Sequence, residues 1–96
     1  MKIDRVVKEL EEAAGQLGVQ IRREKGRFRG GACVVKGDDV FVLNKNHPPE
    51  VHMALLAGLM RELPADTIYL KPQVRAALEQ AWADAEREVP ALEDDE

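Results

Sequence analysis

This sequence contains one cysteine, Cys33, and only four aromatic residues, Phe28, Phe41, Tyr69 and Trp82. A single thiol excludes an internal disulfide and a cysteine-based structural zinc site, because each needs more than one. An unpaired thiol also suits a reducing compartment. No apolar run approaches the roughly 20 residues that a membrane-spanning helix needs. The opening Met1-Lys2-Ile3-Asp4 begins no apolar signal segment with a cleavage site. The expectation is a cytoplasmic chain with no membrane partner. Histidine is also scarce. His47 and His52 alone are too few for a metal centre, so no metal or cofactor is expected.

The 96 residues suit one domain. A chain of this size buries roughly two-thirds of the surface that its unfolded form exposes. That supports one core and leaves little room for a deep cleft. Charge is unevenly spread. Arg22, Arg23, Lys25, Arg27, Arg29 and Lys36 lie close together with only Glu24 among them, although the whole chain carries a net −4. Such asymmetry points to an anionic partner, or to neutralisation by the chain's own acidic helices.

Apolar residues recur at three- and four-residue steps over residues 3–17, which predicts an amphipathic helix. Gly18 stops it. Residues 19–23 alternate as a strand with Val19 and Ile21 inward. Residues 24–31 form a glycine-rich basic loop. Residues 32–35 and 40–43 read as hairpin arms around a Gly37-Asp38 turn, with Val34 opposite Phe41 and Cys33 opposite Val42. Both arms are apolar on both faces, so the sheet needs cover on both, from helices or from a second subunit.

Pro49 opens a second helix that runs to about residue 63 and is apolar around most of its circumference. Residues 67–70 suit a short fourth strand. Pro72 opens a third helix that ends near Val89, before Pro90. The expected architecture is an α+β domain over residues 1–90. A small antiparallel sheet of three or four strands packs with three helices, in the order α-β-β-β-α-(β)-α. Residues 91–96 are expected to be a frayed acidic tail.

Three groups of residues carry chemistry worth weighing. Arg22, Arg23, Lys25, Arg27, Phe28 and Arg29 combine guanidinium and ammonium groups with a ring, a mixture that suits phosphates and stacked bases. No recognised nucleic-acid-binding pattern accompanies them. The plain alternative is a solvated loop whose Phe28 folds onto the core. Cys33, with His47 or His52 as base, would make a small thiol-dependent enzyme. Mid-strand among valines, Cys33 instead reads as a small buried hydrophobe. The histidines read as a helix-entry residue and a polar-face residue. Asn44, Lys71 and Arg75 could line one sheet edge as an anion site, against a plain reading of capping and surface charge.

Phe28-Arg29-Gly30-Gly31-x-Cys33, Val42-Leu43-Asn44-Lys45 and Tyr69-Leu70-Lys71-Pro72-x-Val74-Arg75 together resemble small uncharacterised bacterial proteins of about this length. That resemblance spans nearly the whole chain and implies no activity. The strand at 40–44 followed by the helix at 49–63 resembles, more distantly, the layout of zincin-like metallopeptidases of phage-repressor-cleaving systems. There a hairpin ending in asparagine precedes the metal-binding helix. Here that helix contains no His-Glu-x-x-His, so neither metal ligands nor a catalytic glutamate carry over. This likeness implies a metal-free scaffold.

Taken together, the residues point to a non-enzymatic accessory or protein-interaction domain, with a protein partner or self-association into a dimer. Anion or nucleic-acid binding through residues 22–31 is the first alternative, and thiol chemistry the second.

Overall fold

The computed structural model describes residues 1–93. In chain order it contains α1 (Ile3–Gln16), β1 (Gln20–Glu24), β2 (Gly31–Val35), β3 (Asp38–Asn44), α2 (Pro49–Arg61) and α3 (Pro72–Glu93). This is the expected α+β class and order. The predicted tail at 91–96 falls partly outside the described residues: 91–93 continue α3, and 94–96 are not described.

The α1 stripe buries Val6, Val7, Leu10, Ala13 and Ala14. Gly18 then takes φ +95°, and Val19 N–H donates to Ala14 O at 3.0 Å. That reversal sends the chain into β1 with Val19 buried. A left-handed residue at this position is inexpensive only for glycine.

The sheet order is β1-β3-β2, with β1 parallel to β3 and β2 antiparallel to it. The sheet is therefore mixed, not antiparallel throughout as expected. The reason lies in the strands themselves. β3 holds Val40, Phe41, Val42 and Leu43 and takes the centre, where both of its edges are paired. β1 reads Gln-Ile-Arg-Arg-Glu and tolerates the rim. A charged strand is one of the standard ways to blunt a sheet edge.

The hairpin register also differs from expectation. Ala32 lies opposite Phe41, and Cys33 opposite Val40. The turn is Lys36-Gly37 rather than Gly37-Asp38. Both turn residues have positive φ, +53° and +85°. Two consecutive left-handed residues match the twist of the flanking strands. The slip is two residues, so every side chain keeps its expected face.

Paired residues share a face. Ile21, Phe41, Leu43 and Ala32 therefore lie on one side of the sheet, and Arg22, Val40, Val42 and Cys33 on the other. Phe41 and Leu43 join the helix residues Leu10, Leu56, Met60, Val74 and Leu78 in a single core. All the helices thus pack on one face. The opposite face is only partly covered: Val40 and Asn44 are buried there, Val42 is half-buried and Cys33 is exposed.

The region of the expected fourth strand is instead a 3-10 turn at Ala65–Thr67 followed by extended chain. Thr67 N–H and Oγ1 both donate to Pro64 O, and this local closure competes with strand pairing. α3 runs past the predicted stop at Val89, through Pro90 to Glu93. Proline removes one N–H from the ladder, not those that follow it.

Trp82 joins α3 to α2. Its Nε1–H donates to Ala57 O at 2.7 Å, and the Arg61 guanidinium stands 5.4 Å from its ring. Gly58 lies nearby in α2, and a Cβ there meets nothing within 4 Å. Gly58→Ala should therefore stabilise the protein by about 0.5–1 kcal/mol. Urea unfolding checks this; a lower midpoint would show that the helix face needs the bare backbone.

Candidate functional site

Residues 25–30 carry the chain from β1 across the end of β3 to β2. One buried side chain holds this loop. Asn44, 3% exposed, donates from Nδ2 to Gly26 O and to Phe28 O, each at 2.8 Å. Its Oδ1 accepts from Asn46 N–H at 2.9 Å. Its backbone carbonyl lies 2.7 Å from His52 Nε2, so that ring nitrogen carries the hydrogen. Asn44 was foreseen as a sheet-edge residue, not as an anchor for the loop. No spacing rule links it to Gly26 and Phe28, which lie 18 and 16 residues earlier.

His52 is buried, not on a polar helix face. It serves the same node, with the His47 ring centroid 6.5 Å away. His47 Nδ1 is buried without a hydrogen-bond partner among the described residues. Among the described residues no three His, Cys, Asp or Glu side chains converge to hold a metal ion.

Pinned in this way, the loop borders a shallow depression of about 540 Å³ lined by Lys25, Phe28, Arg29, Gly31, Cys33 and Val42. The structure thus gathers Lys25, Phe28 and Arg29 from the expected basic set. It separates Arg23, which lies on the helix side and pairs with Glu11. Arg22 pairs with Glu24 at 3.1 Å on the open face. Lys25, Arg27 and Arg29 make no ion pair among the described residues. The Asn44, Lys71 and Arg75 grouping does not assemble. Lys71 pairs with Glu9 at 3.0 Å, while Asn44 is committed to the loop.

Gly30 makes this path sterically possible. It has φ +92°, and a Cβ there would lie 2.6 Å from Val42 O. Gly30→Ala should cost more than about 1 kcal/mol, since backbone strain and a clash with a fixed carbonyl act together. A thermal melt unchanged from the parent would show that the loop can move aside.

Cys33 is exposed. The expectation of a buried strand thiol fails because β2 is an edge strand and Cys33 lies on the face away from the helical core. His52, one of the two expected bases, is engaged elsewhere. Cys33 lies opposite Val40, whereas His52 bonds Asn44 O, four residues or roughly 13 Å further along β3.

The two rims of the sheet differ. β1 is charged and ion-paired. β2 carries Gly31, Ala32, Cys33 and Val34, with Val34 69% exposed. Lys45 N–H donates to Glu24 O, so odd-numbered residues of β3 turn their backbone groups toward β1 and even-numbered ones toward β2. Cys33, opposite Val40, therefore spends its backbone groups on β3. Those of Ala32 and Val34 face outward. Beside them, a groove of about 300 Å³ runs between the strand and α2, lined by Ala32, Val34, Phe41, Leu59 and Leu63.

Compared with known proteins, the chain matches no family model, no curated protein and no solved structure.

Proposed function

We propose that this chain is a non-enzymatic accessory domain that binds protein along its β2 edge. The observation behind this reading is the unequal treatment of the two rims. Charge blunts β1, whereas β2 carries no charge of its own, and its outward N–H and C=O groups stand beside exposed Val34. An uncharged strand edge with free backbone groups accepts an added strand, with main-chain hydrogen bonds giving affinity and side-chain grooves giving selectivity.

The test is affinity capture of the tagged protein from its host's lysate, with and without nuclease, compared with Val34→Lys. The expected result is a stoichiometric protein that survives nuclease and is lost from the variant. If the variant captures the same proteins in the same amounts, the edge is not the binding surface.

A second reading rests on a separate observation. Lys25, Arg27 and Arg29 make no ion pair among the described residues and flank Phe28 on an anchored loop. This arrangement suits a single-stranded nucleic acid. Arg27→Ala combined with Arg29→Ala should weaken binding of a labelled oligonucleotide and flatten its log–log salt dependence by about 1.4, near 0.7 for each lost phosphate contact. Unchanged affinity and slope would dismiss this reading.

A further inference from the structure

We infer that the protein bound along β2 is a second copy of this chain, paired antiparallel about a two-fold axis at Cys33. This inference rests on the interaction-domain reading and names its partner. Three features of β2 support it.

The first is backbone pattern. Ala32 and Val34 present the free N–H and C=O groups, and they flank Cys33 symmetrically. A two-fold at Cys33 sets Ala32 of one copy against Val34 of the other, twice, as hydrogen-bonded pairs. Cys33 then meets its own counterpart as a non-hydrogen-bonded pair, with Cα atoms about 4.5 Å apart. This register overlaps all five residues of β2; a two-fold at Ala32 or Val34 overlaps fewer.

The second is shape. Val34 projects, 69% exposed, on the face where Ala32 leaves a groove beneath Leu59 and Leu63. The same register brings each copy's Val34 beside the other's Ala32, at that groove. Projection and recess are two residues apart on one strand, the spacing that an antiparallel two-fold brings together.

The third is charge. Residues 31–35 contain no charged side chain, so the strand pairing sets no charge against its own copy, and the two carboxylates at the groove, Asp39 and Glu62, are exposed. Pairing through β1 would set Arg22 and Arg23 close to their own copies. The β2 seam is only about 17 Å long, so the interface depends on the two grooves to approach the roughly 1,200 Å² of a specific contact. A weak, concentration-dependent dimer is expected. Its sheet would run β1-β3-β2-β2-β3-β1, with helices on one face and both Cys33 thiols on the other.

The test uses the purified full-length chain in two measurements. Sedimentation equilibrium under reducing conditions should show reversible dimers, and Val34→Lys or Val34→Glu should raise the dissociation constant at least about tenfold, whichever charge is introduced. Mild oxidation with diamide, which takes two electrons and two protons from a pair of thiols, should then link Cys33 to Cys33. The rate should exceed by at least about tenfold that of a Cys33→Ser chain with its thiol moved to the exposed α3 position by Glu79→Cys, because the native pair lies within disulfide range. Circular dichroism confirms that each variant is folded.

A strict monomer at the highest soluble concentration overturns the inference. So does a dimer indifferent to both Val34 variants, which would use another surface. A dimer that is sensitive to Val34 but links no faster than the relocated thiol overturns the Cys33 register. In any of these cases the broader reading is judged separately, by the capture from lysate that Val34→Lys abolishes.

Discussion

Replacing Asn44 by aspartate is expected to destabilise the protein at neutral pH at least as much as replacing it by alanine, although aspartate keeps its size. The amide donates to Gly26 O and Phe28 O and accepts from Asn46 N–H. Alanine leaves all three groups without their partner, at about 1–3 kcal/mol for each one that water cannot reach. Partial exposure of the loop brings the expected loss to about 2–4 kcal/mol. Aspartate keeps the acceptor and loses both donors. An ionised carboxylate acts only as an acceptor and would face two carbonyl oxygens. Acidification should reverse part of the loss, because the protonated carboxyl regains one donor. The folded state of the variant favours that neutral form, so its carboxyl pKa is raised. The recovered stability is then present below the unfolded value and disappears as pH rises through the folded one. Urea titrations across pH measure this. Hydrogen exchange over residues 25–30 should rise together with the loss of stability. A variant as stable as the parent would show that the loop is held by something other than Asn44.

Leu56→Ala should cost about 2–5 kcal/mol, against a total of about 5–15 for a domain of this kind. Leu56 is wholly buried in α2, within the core that also holds Leu10, Leu43, Met60 and Leu78. Alanine is the best helix former, so the backbone loses nothing and the effect is the cavity alone. At about 4–8 °C for each kcal/mol, the melting temperature should fall by roughly 8–40 °C. Calorimetry measures the shift. A fall of only a few degrees would mean that the helices close over the space.

Both effects depend on contacts between distant parts of the chain, and they divide what could be read from the sequence from what could not. Leu56 as a core residue was legible. Its helix, opened by Pro49, is apolar around most of its circumference, which marks a helix buried on more than one side. Asn44 was visible as the end of a strand, but its work on Gly26 and Phe28 was not. A side-chain hydrogen bond across 16 or 18 residues leaves no local pattern. The basic cluster was legible as charge. Its division into Arg23, held by Glu11, and Lys25 and Arg29, beside the depression, depends on which face of the sheet each residue occupies.

The hairpin shows the same limit on a smaller scale. Alternation placed every side chain on its correct face. The turn was misread by one residue, because Lys36 adopts a left-handed conformation that lysine seldom takes. A glycine in the motif draws the eye to itself; the strain of its neighbour is set by the twist of two paired strands.

By itself, the sequence determined the three helices and the first three strands, their order, the apolar faces of the helices, and the α+β class. These follow from periodicity and from the backbone limits of glycine and proline, which act over a few residues. Only the tertiary structure decided that β3 lies between β1 and β2, that β1 runs parallel to it, and that β2 is left as the bare rim with Cys33 and Val34 in the open. Strand order is settled by competition among whole strands for the centre of the sheet, and that comparison is not contained in any one of them.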